Sequence, residues 1–211
     1  PEIFIPLAEE TGLIEALTDH AIACVAADLA RWKDEAGGGY GGMHIALNIS
    51  SADMQSGRFL AVLAKTLADA NVASEQIWLE ATERGFMNAA AARATIERAR
   101  AAGHVIAIDD FGTGYSSLSL LETLPLDTLK IDKSFIRAIG KQAATSLVIP
   151  HIIEMGHSLN FKIVAEGVET EAQQVYLRDA GVEFAQGWLY SKALPADDFL
   201  AFHNLTNRPS A

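Results

Sequence analysis

Two adjacent aspartates, Asp109 and Asp110, are the residues of this 211-residue chain with the clearest chemical potential. They follow the β-branched apolar run 105–108 and precede the glycine-containing segment 111–118. This order is typical of a buried strand that delivers carboxylates to a loop. Because neighbouring carboxylates repel each other, the pair favours a cation or a strong donor between them, and hard divalent cations take such oxygens. The alternative is that Asp110 or Thr113 only caps the next helix.

Other apolar runs of the chain also end in a polar side chain. The predicted strands are residues 43–47, 77–79, 105–108, 128–132, 162–165 and 184–185, and the polar residues at their ends are Asn48, Glu80, Asp109, Lys130, Glu166 and Gln186. Helical spacing of apolar residues predicts helices at 1–10, 13–35, 57–70, 89–102, 118–124, 145–159, 171–180 and 195–203. The chain therefore contains six strand-then-helix units.

Strand–helix alternation predicts an α/β fold with parallel strands covered by helices, as an open sheet or a barrel. In an open sheet the polar strand ends would lie along a line, whereas in a barrel they converge on one mouth, where such enzymes place their chemistry. We therefore predict a TIM-like (β/α)8 barrel. Six βα units do not close eight strands, so we expect the first two strands to precede Pro1.

Composition narrows the class of protein. Half of the residues are hydrophobic, 20% are charged and the net charge is −11, which is ordinary for a soluble domain and opposes binding to a nucleic acid polymer or anionic lipid. Cys24 is the sole cysteine, which excludes an internal disulfide and agrees with a reducing compartment. The chain contains neither a membrane segment nor a signal peptide, so we expect a cytoplasmic domain, although its parent protein could be anchored through other domains.

The predicted mouth contains carboxylate and amide oxygens without histidine or cysteine, which favours Mg²⁺ or Mn²⁺ over zinc. Two such cations would clamp a phosphodiester for hydrolysis. Lys130, beside them, could orient a water or neutralise charge on the phosphate. The alternative for Lys130 is a salt bridge that only offsets the local acid.

Motifs in the right order resemble a known family. They are Phe4-Ile5-Pro6-Leu7-Ala8-Glu9, Asn48-Ile49-Ser50, Glu80-Ala81-Thr82-Glu83, residues 109–118, Lys130-Ile131-Asp132, Glu166-Gly167-Val168-Glu169, Gln186-Gly187 and Leu194-Pro195. At this spacing the chain resembles the EAL domain, the phosphodiesterase of the bacterial second messenger cyclic di-GMP. The resemblance covers essentially the whole chain, and it implies that one strand of the full barrel is antiparallel.

The resemblance implies a role for each matching residue. The metal ligands would be Asn48, Glu80, Asp109, Asp110 and Glu166. Lys130 would hold the catalytic water and Gln186 would support the water network, while Glu83 would brace the loop after Asp110, which orders the second metal and contributes to a homodimer. Glu169 and Asp132 would support either the metal ligands or the substrate. Trp188 could touch a guanine, because it lies just after Gln186-Gly187 and therefore near the mouth.

The implied reaction is hydrolysis of cyclic di-GMP to linear pGpG, in a parent protein that carries sensory or GGDEF-type domains. An inactive cyclic di-GMP receptor or an interaction module of the same fold is the alternative. The Glu-Ala-Leu motif itself would lie before Pro1, so we expect the chain alone to be an inactive, truncated EAL domain over residues 1–211, with a flexible tail at 204–211. Asp53 and Met54 stand where the family usually has a glutamine and a phenylalanine, so we do not expect the family's substrate contacts at these two positions.

Overall fold

In a computed structural model of the chain, the described residues are 3–35, 43–86, 88–112, 118–141 and 144–206. Within these ranges six parallel strands form one sheet in chain order: β1 Ile45–Asn48, β2 Ile77–Thr82, β3 Val105–Phe111, β4 Thr128–Ile131, β5 Lys162–Glu166 and β6 Phe184–Gln186. The rings of His44 and Phe184, at the two ends of the sheet, lie 5.9 Å apart, which shows that the sheet is strongly curled. The predicted strand–helix alternation and barrel-like fold are confirmed.

Helices cover the outer face of this half-barrel. They are α1 Phe4–Thr11, α2 Ile14–Glu35, α3 Ser51–Ser56, α4 Phe59–Asp69, α5 Ala89–Ala101, α6 Leu118–Thr123, α7 Lys133–Ile136, α8 Ala144–Ser158, α9 Glu171–Asp179 and α10 Ala196–Thr206. Helix α10 continues beyond the predicted end at His203, and residues 207–211 of the predicted tail lie outside the described ranges. Among the described helices, none combines the length and apolar character needed to cross a bilayer.

Two short helices, α3 and α7, were not predicted, because a single turn is too short to show helical periodicity. Each begins at a side-chain cap: Ser50 accepts a hydrogen bond from the backbone N–H of Asp53, and Asp132 accepts one from Ser134. A cap satisfies a donor that the first turn leaves free, and so it fixes where the helix begins. Both caps follow strand ends, so both short helices shape the rim of the mouth.

Residue alternation along the strands separates core from site. On β2, Ile77, Leu79 and Ala81 are buried among the helices, while Trp78 and Glu80 point to the inner face of the curl. The same alternation buries Ile106 and Ile108 of β3 on the outer face. The inner face therefore receives the polar residues near the strand ends.

Candidate active site

Lys130 lies at the centre of the mouth. Its Nζ is 2.6 Å from Glu80 Oε2, 3.0 Å from Asp109 Oδ1 and 2.6 Å from Glu166 Oε1. The residue is 3% exposed, so these ion pairs are shielded from water. Four strands, β2 to β5, thus deliver one side chain each to a single charged cluster, as the sequence predicted.

The cluster has a surplus of negative charge. Burial acts to lower the pKa of Lys130, but Glu80, Asp109 and Glu166 outweigh it and raise this pKa above its ordinary value, so the ammonium stays charged. Burial raises the pKa of Glu80 and Glu166, even though Lys130 opposes the shift. Burial and the neighbouring Asp109 raise the pKa of Asp110. One ammonium does not neutralise the four carboxylates of the cluster, so a further positive charge beside them would be favourable.

A local irregularity brings the two adjacent aspartates together. Along β3 and β4, Ile108 pairs with Leu129 but Phe111 pairs with Ile131, so β3 contains one extra residue there. In a regular strand adjacent side chains point to opposite faces, and this bulge interrupts the alternation. Asp110 takes the left-handed conformation, with φ of 53°, and its N–H donates to Asp109 Oδ1 at 2.9 Å.

The donor set fits a hard divalent cation. Carboxylate oxygens of Asp109, Asp110 and Glu166 lie within 4.8 Å of one another. Asn48 ends β1 beside Glu80, its partner in the strand register, and its side chain is exposed. Oxygen ligands of this kind suit Mg²⁺, Mn²⁺ or Ca²⁺.

Gln186 and Glu83 support this cluster from opposite sides. Gln186 Nε2 donates to Glu166 Oε1 at 2.8 Å, which joins β6 to the carboxylates. Glu83 Oε1 accepts from the N–H of Gly112 at 3.2 Å, just after the aspartates. Gly112 has φ of 93°, and a Cβ there would lie 2.7 Å from the Phe135 ring, so the close contact requires glycine. The rest of that loop, 113–117, lies outside the described ranges.

The three remaining predicted residues lie around the edge of the cluster. Asp132 is buried and caps α7, and Glu169 pairs with Arg137 at 3.1 Å. Trp188 is 66% exposed, with Lys192 Nζ 5.4 Å from its ring centre. These residues are close to the mouth without joining the central ion pairs.

A groove of about 620 Å³ extends from Glu166 and Gln186 away from the cluster. Its walls include Trp188 and three cationic side chains, Lys133, Arg137 and Lys192. These three cations were not among the predicted site residues. The signal that could have found Lys133 and Arg137 is their position after a strand end, three and seven residues beyond Lys130.

Asp53 and Met54 face away from the mouth. Asp53 is fully buried and accepts hydrogen bonds from Thr18 Oγ1 at 2.7 Å and Ser50 Oγ at 2.8 Å. Met54 is buried in the core. Both side chains therefore serve the packing of α3, and Asp53 joins α3 to α2 through Thr18.

The chain is similar in sequence to proteins that have been named for an activity. The chain is 46% identical over 200 residues to a protein of Escherichia coli K12 named probable cyclic di-GMP phosphodiesterase PdeB, covering 95% of this chain and 37% of that protein. It is 38% identical over 202 residues to the bifunctional diguanylate cyclase/cyclic di-GMP phosphodiesterase MucR of Pseudomonas aeruginosa, covering 95% of this chain and 29% of that protein. The chain thus spans well under half the length of these relatives.

A solved structure of the PaMucR phosphodiesterase in complex with c-di-GMP superposes with a TM-score of 0.87 at 37% identity, covering 94% of this chain and 80% of that one. Klebsiella pneumoniae BlrP1 with manganese and cy-diGMP superposes with a TM-score of 0.74 at 27% identity, covering 84% and 44%. The family model described as the EAL domain matches residues 1–193. The chain therefore belongs to the EAL domain family.

Proposed function

We propose that the chain is the catalytic part of a metal-dependent phosphodiesterase that hydrolyses cyclic di-GMP to linear pGpG. The observation that carries the proposal is the buried ammonium of Lys130 held between Glu80, Asp109 and Glu166 at the mouth of the half-barrel. The names of PdeB and MucR and the c-di-GMP bound to PaMucR support the choice of substrate.

We assign the metal site to the oxygens at the strand ends and expect two Mg²⁺ or Mn²⁺ ions there. The proposed ligands are Asn48, Glu80, Asp109, Asp110 and Glu166. Manganese in the related BlrP1 structure supports this choice of ion, and calcium has also been observed in BlrP1. When bound, such cations polarise the phosphoryl group and make water a better nucleophile.

The role of Lys130 follows from its charge. Because the neighbouring carboxylates raise its pKa, Lys130 is a hydrogen-bond donor at neutral pH and not a general base. Its N–H groups can hold the oxygen of the attacking water and offset charge that builds on the phosphate. Gln186, bonded to Glu166, keeps that carboxylate oriented. In the reaction the water oxygen forms a bond to phosphorus as the bond from phosphorus to the ribose 3′ oxygen breaks. The attacking water gives up one proton, and the 3′ oxygen takes up one and leaves as a hydroxyl.

The groove beside the mouth fits the outer part of the dinucleotide. Lys133, Arg137 and Lys192 supply positive charge for a phosphate in a protein that is acidic overall. The exposed ring of Trp188 offers a face on which a guanine can stack. Glu169 holds Arg137 in place, and Asp132 fixes α7, which carries Lys133. Loss of the Trp188 ring, in Trp188→Ala, should raise KM more than it lowers kcat.

Replacement of a proposed ligand tests the function. In the full-length protein, Asp109→Ala should abolish the manganese-dependent release of linear pGpG, followed by chromatography. Asp69→Ala removes an exposed carboxylate that pairs with Lys65 on α4, and it should keep full turnover. Undiminished turnover in Asp109→Ala would refute the metal assignment. Tight binding of cyclic di-GMP by the unmodified protein without any product would favour the receptor alternative.

We further propose that the protein forms a homodimer and carries a sensory or GGDEF-type domain outside this chain. Leu147 and Val148, which are 73% and 43% exposed on α8, offer an apolar contact for a second copy. The name of MucR, which combines a cyclase with a phosphodiesterase, supports the second domain. Sedimentation of Leu147→Glu against the unmodified protein tests the dimer, since a charge at a buried contact should yield monomers.

A further inference from the structure

Three aromatic rings form a layer inside the curl, beneath the mouth. His44 stacks on Trp78, with centroids 3.7 Å apart and an interplanar angle of 7°. Phe184 meets both rings edge-on, 5.4 Å from Trp78 and 5.9 Å from His44. Stacked and edge-on pairs at these separations are the favoured geometries of aromatic contacts, so each ring constrains the other two.

Each ring precedes a residue of the proposed site on the same face of its strand. Trp78 is two residues before Glu80 on β2, and Phe184 is two residues before Gln186 on β6. His44 lies just before β1, four residues before Asn48. Because side chains alternate along a strand, residues separated by two or four positions share one face. The ring layer therefore lies directly below the residues that surround the mouth.

The layer joins strands that the sheet itself keeps apart. In the strand order, β1 and β6 occupy the two ends, with four strands between them. At the usual strand spacing, a flat sheet would put them on the order of 24 Å apart. Contact between His44 and Phe184 is possible only because the sheet is curled, and it opposes opening of the curl.

We propose that His44, Trp78 and Phe184 form a positioning layer that sets the width of the mouth, and with it the distance from Asn48 and Glu80 to Gln186. The rings touch neither substrate nor metal in this role. They act through the strands, since loss of a ring relaxes the curl and moves the strand ends above it. The consequence for turnover rests on the proposed phosphodiesterase function, whereas the consequence for geometry does not.

The test is Phe184→Leu, which removes the ring and keeps an apolar side chain. The first readout is the Gln186 side-chain amide resonance in ¹⁵N NMR, assigned with Gln186→Glu, because it reports the hydrogen bond to Glu166 without metal or substrate. We expect this resonance to shift, with Mn²⁺ affinity and kcat each falling about 10-fold, as for other residues that orient metal ligands. Phe184→Tyr, which keeps the ring, should retain the wild-type values.

Phe161→Leu is the matched control. Phe161 is buried on the outer face just before β5, so the same substitution costs stability without touching the ring layer. Its Gln186 resonance and kcat should not move. If Phe184→Leu fails to fold, His44→Leu takes its place, because it removes the ring stacked on Trp78 from a half-buried site.

Each outcome separates the two proposals. An unmoved Gln186 resonance with wild-type Mn²⁺ affinity in a folded ring-loss variant overturns the positioning layer, and so does an equal shift in Phe161→Leu. If the unmodified protein fails to hydrolyse cyclic di-GMP but the resonance still shifts in Phe184→Leu, the layer stands and the proposed function falls.

Discussion

The two ends of the same sheet use polar residues in opposite ways. At the amino end, polar groups bind strand backbones: Asp127 Oδ2 accepts from the N–H of Ile106 at 2.9 Å, and Glu183 Oε2 accepts from Ile163 at 2.9 Å. At the carboxyl end, carboxylates crowd around Lys130, and burial raises the pKa of Glu80. At the amino end the polar groups are paired with backbone N–H groups, whereas at the carboxyl end the negative charge exceeds the positive charge of Lys130.

The two ends also differ in the unfavourable free energy of their backbone conformations and buried charges. Asp110, at the carboxyl end, adopts a left-handed backbone conformation within β3, whereas Asn71 and Asn160, the other described non-glycine residues with this conformation, lie in turns that lead to β2 and β5. Strained backbone and buried like charges persist where function requires them and the rest of the structure holds them in place. In barrel folds, chemistry is found at the carboxyl face and stability is associated with the amino face. Substitutions at the two ends should therefore separate activity from stability.

The largest effect should come from Lys130→Met at the carboxyl end. Removal of a buried ammonium leaves the carboxylates unpaired, so we expect the free energy of unfolding to fall by about 3–5 kcal/mol without metal. Turnover should fall at least about 100-fold, because the donor proposed to offset charge on the phosphate is lost. Urea unfolding with and without Mn²⁺ checks this, and Mn²⁺ should restore part of the stability.

Lys65→Met is the control for this charge change. Lys65 is an exposed partner of Asp69 on α4, so its loss should leave the midpoint of urea unfolding almost unchanged. A Lys130→Met variant as stable as the unmodified protein would show that the two ends do not differ in electrostatic cost.

A smaller effect, on stability alone, is expected for Asp127→Ala at the amino end. The N–H of Ile106 loses its acceptor, and an unsatisfied buried donor costs about 1–3 kcal/mol. Turnover per folded molecule should not change. Asp127→Asn, which keeps an acceptor oxygen, should recover most of the stability in urea unfolding. A fall in kcat with Asp127→Ala would break the separation between the two ends.

The smallest effect concerns pH at the amino end. Burial lowers the pKa of His104, whose Nδ1 lies 3.2 Å from the carbonyl oxygen of Ile77. As the pH falls, the unfolded chain takes up this proton first, near the ordinary histidine pKa of about 6.5. The contribution of neutral His104 to the free energy of unfolding should therefore be complete above that pH. It should be lost as the pH falls through the lower pKa of His104 in the folded protein.

Urea unfolding at several pH values checks this expectation. In His104→Gln the loss of stability below about pH 6.5 should be smaller than in the unmodified protein, because the buried imidazole of His104 no longer titrates. Burial, with a contribution from Lys162, also lowers the pKa of His44, so part of the pH dependence should remain. Identical pH profiles for the two proteins would contradict a neutral, buried His104.

Local sequence was enough to predict the strands and the polar residue at the end of each. Apolar β-branched runs indicated the six strands, and the structure extends β2 to Thr82 beyond the predicted 77–79. Strand–helix alternation left an open sheet or a barrel, and the polar residue at each strand end favoured the barrel, in which Lys130 converges with Glu80 and Glu166. The motifs added the family, which the comparison confirms.

Only the tertiary structure decided how these residues face one another. The bulge near Asp110 depends on how β3 pairs with β4, and no local pattern in β3 specifies that register. The cations of the groove and the contact of His44 with Phe184 join segments far apart in sequence. Spacing along the chain determines which face a side chain occupies, whereas the width of the mouth depends on curl, which arises from the packing of all six strands together.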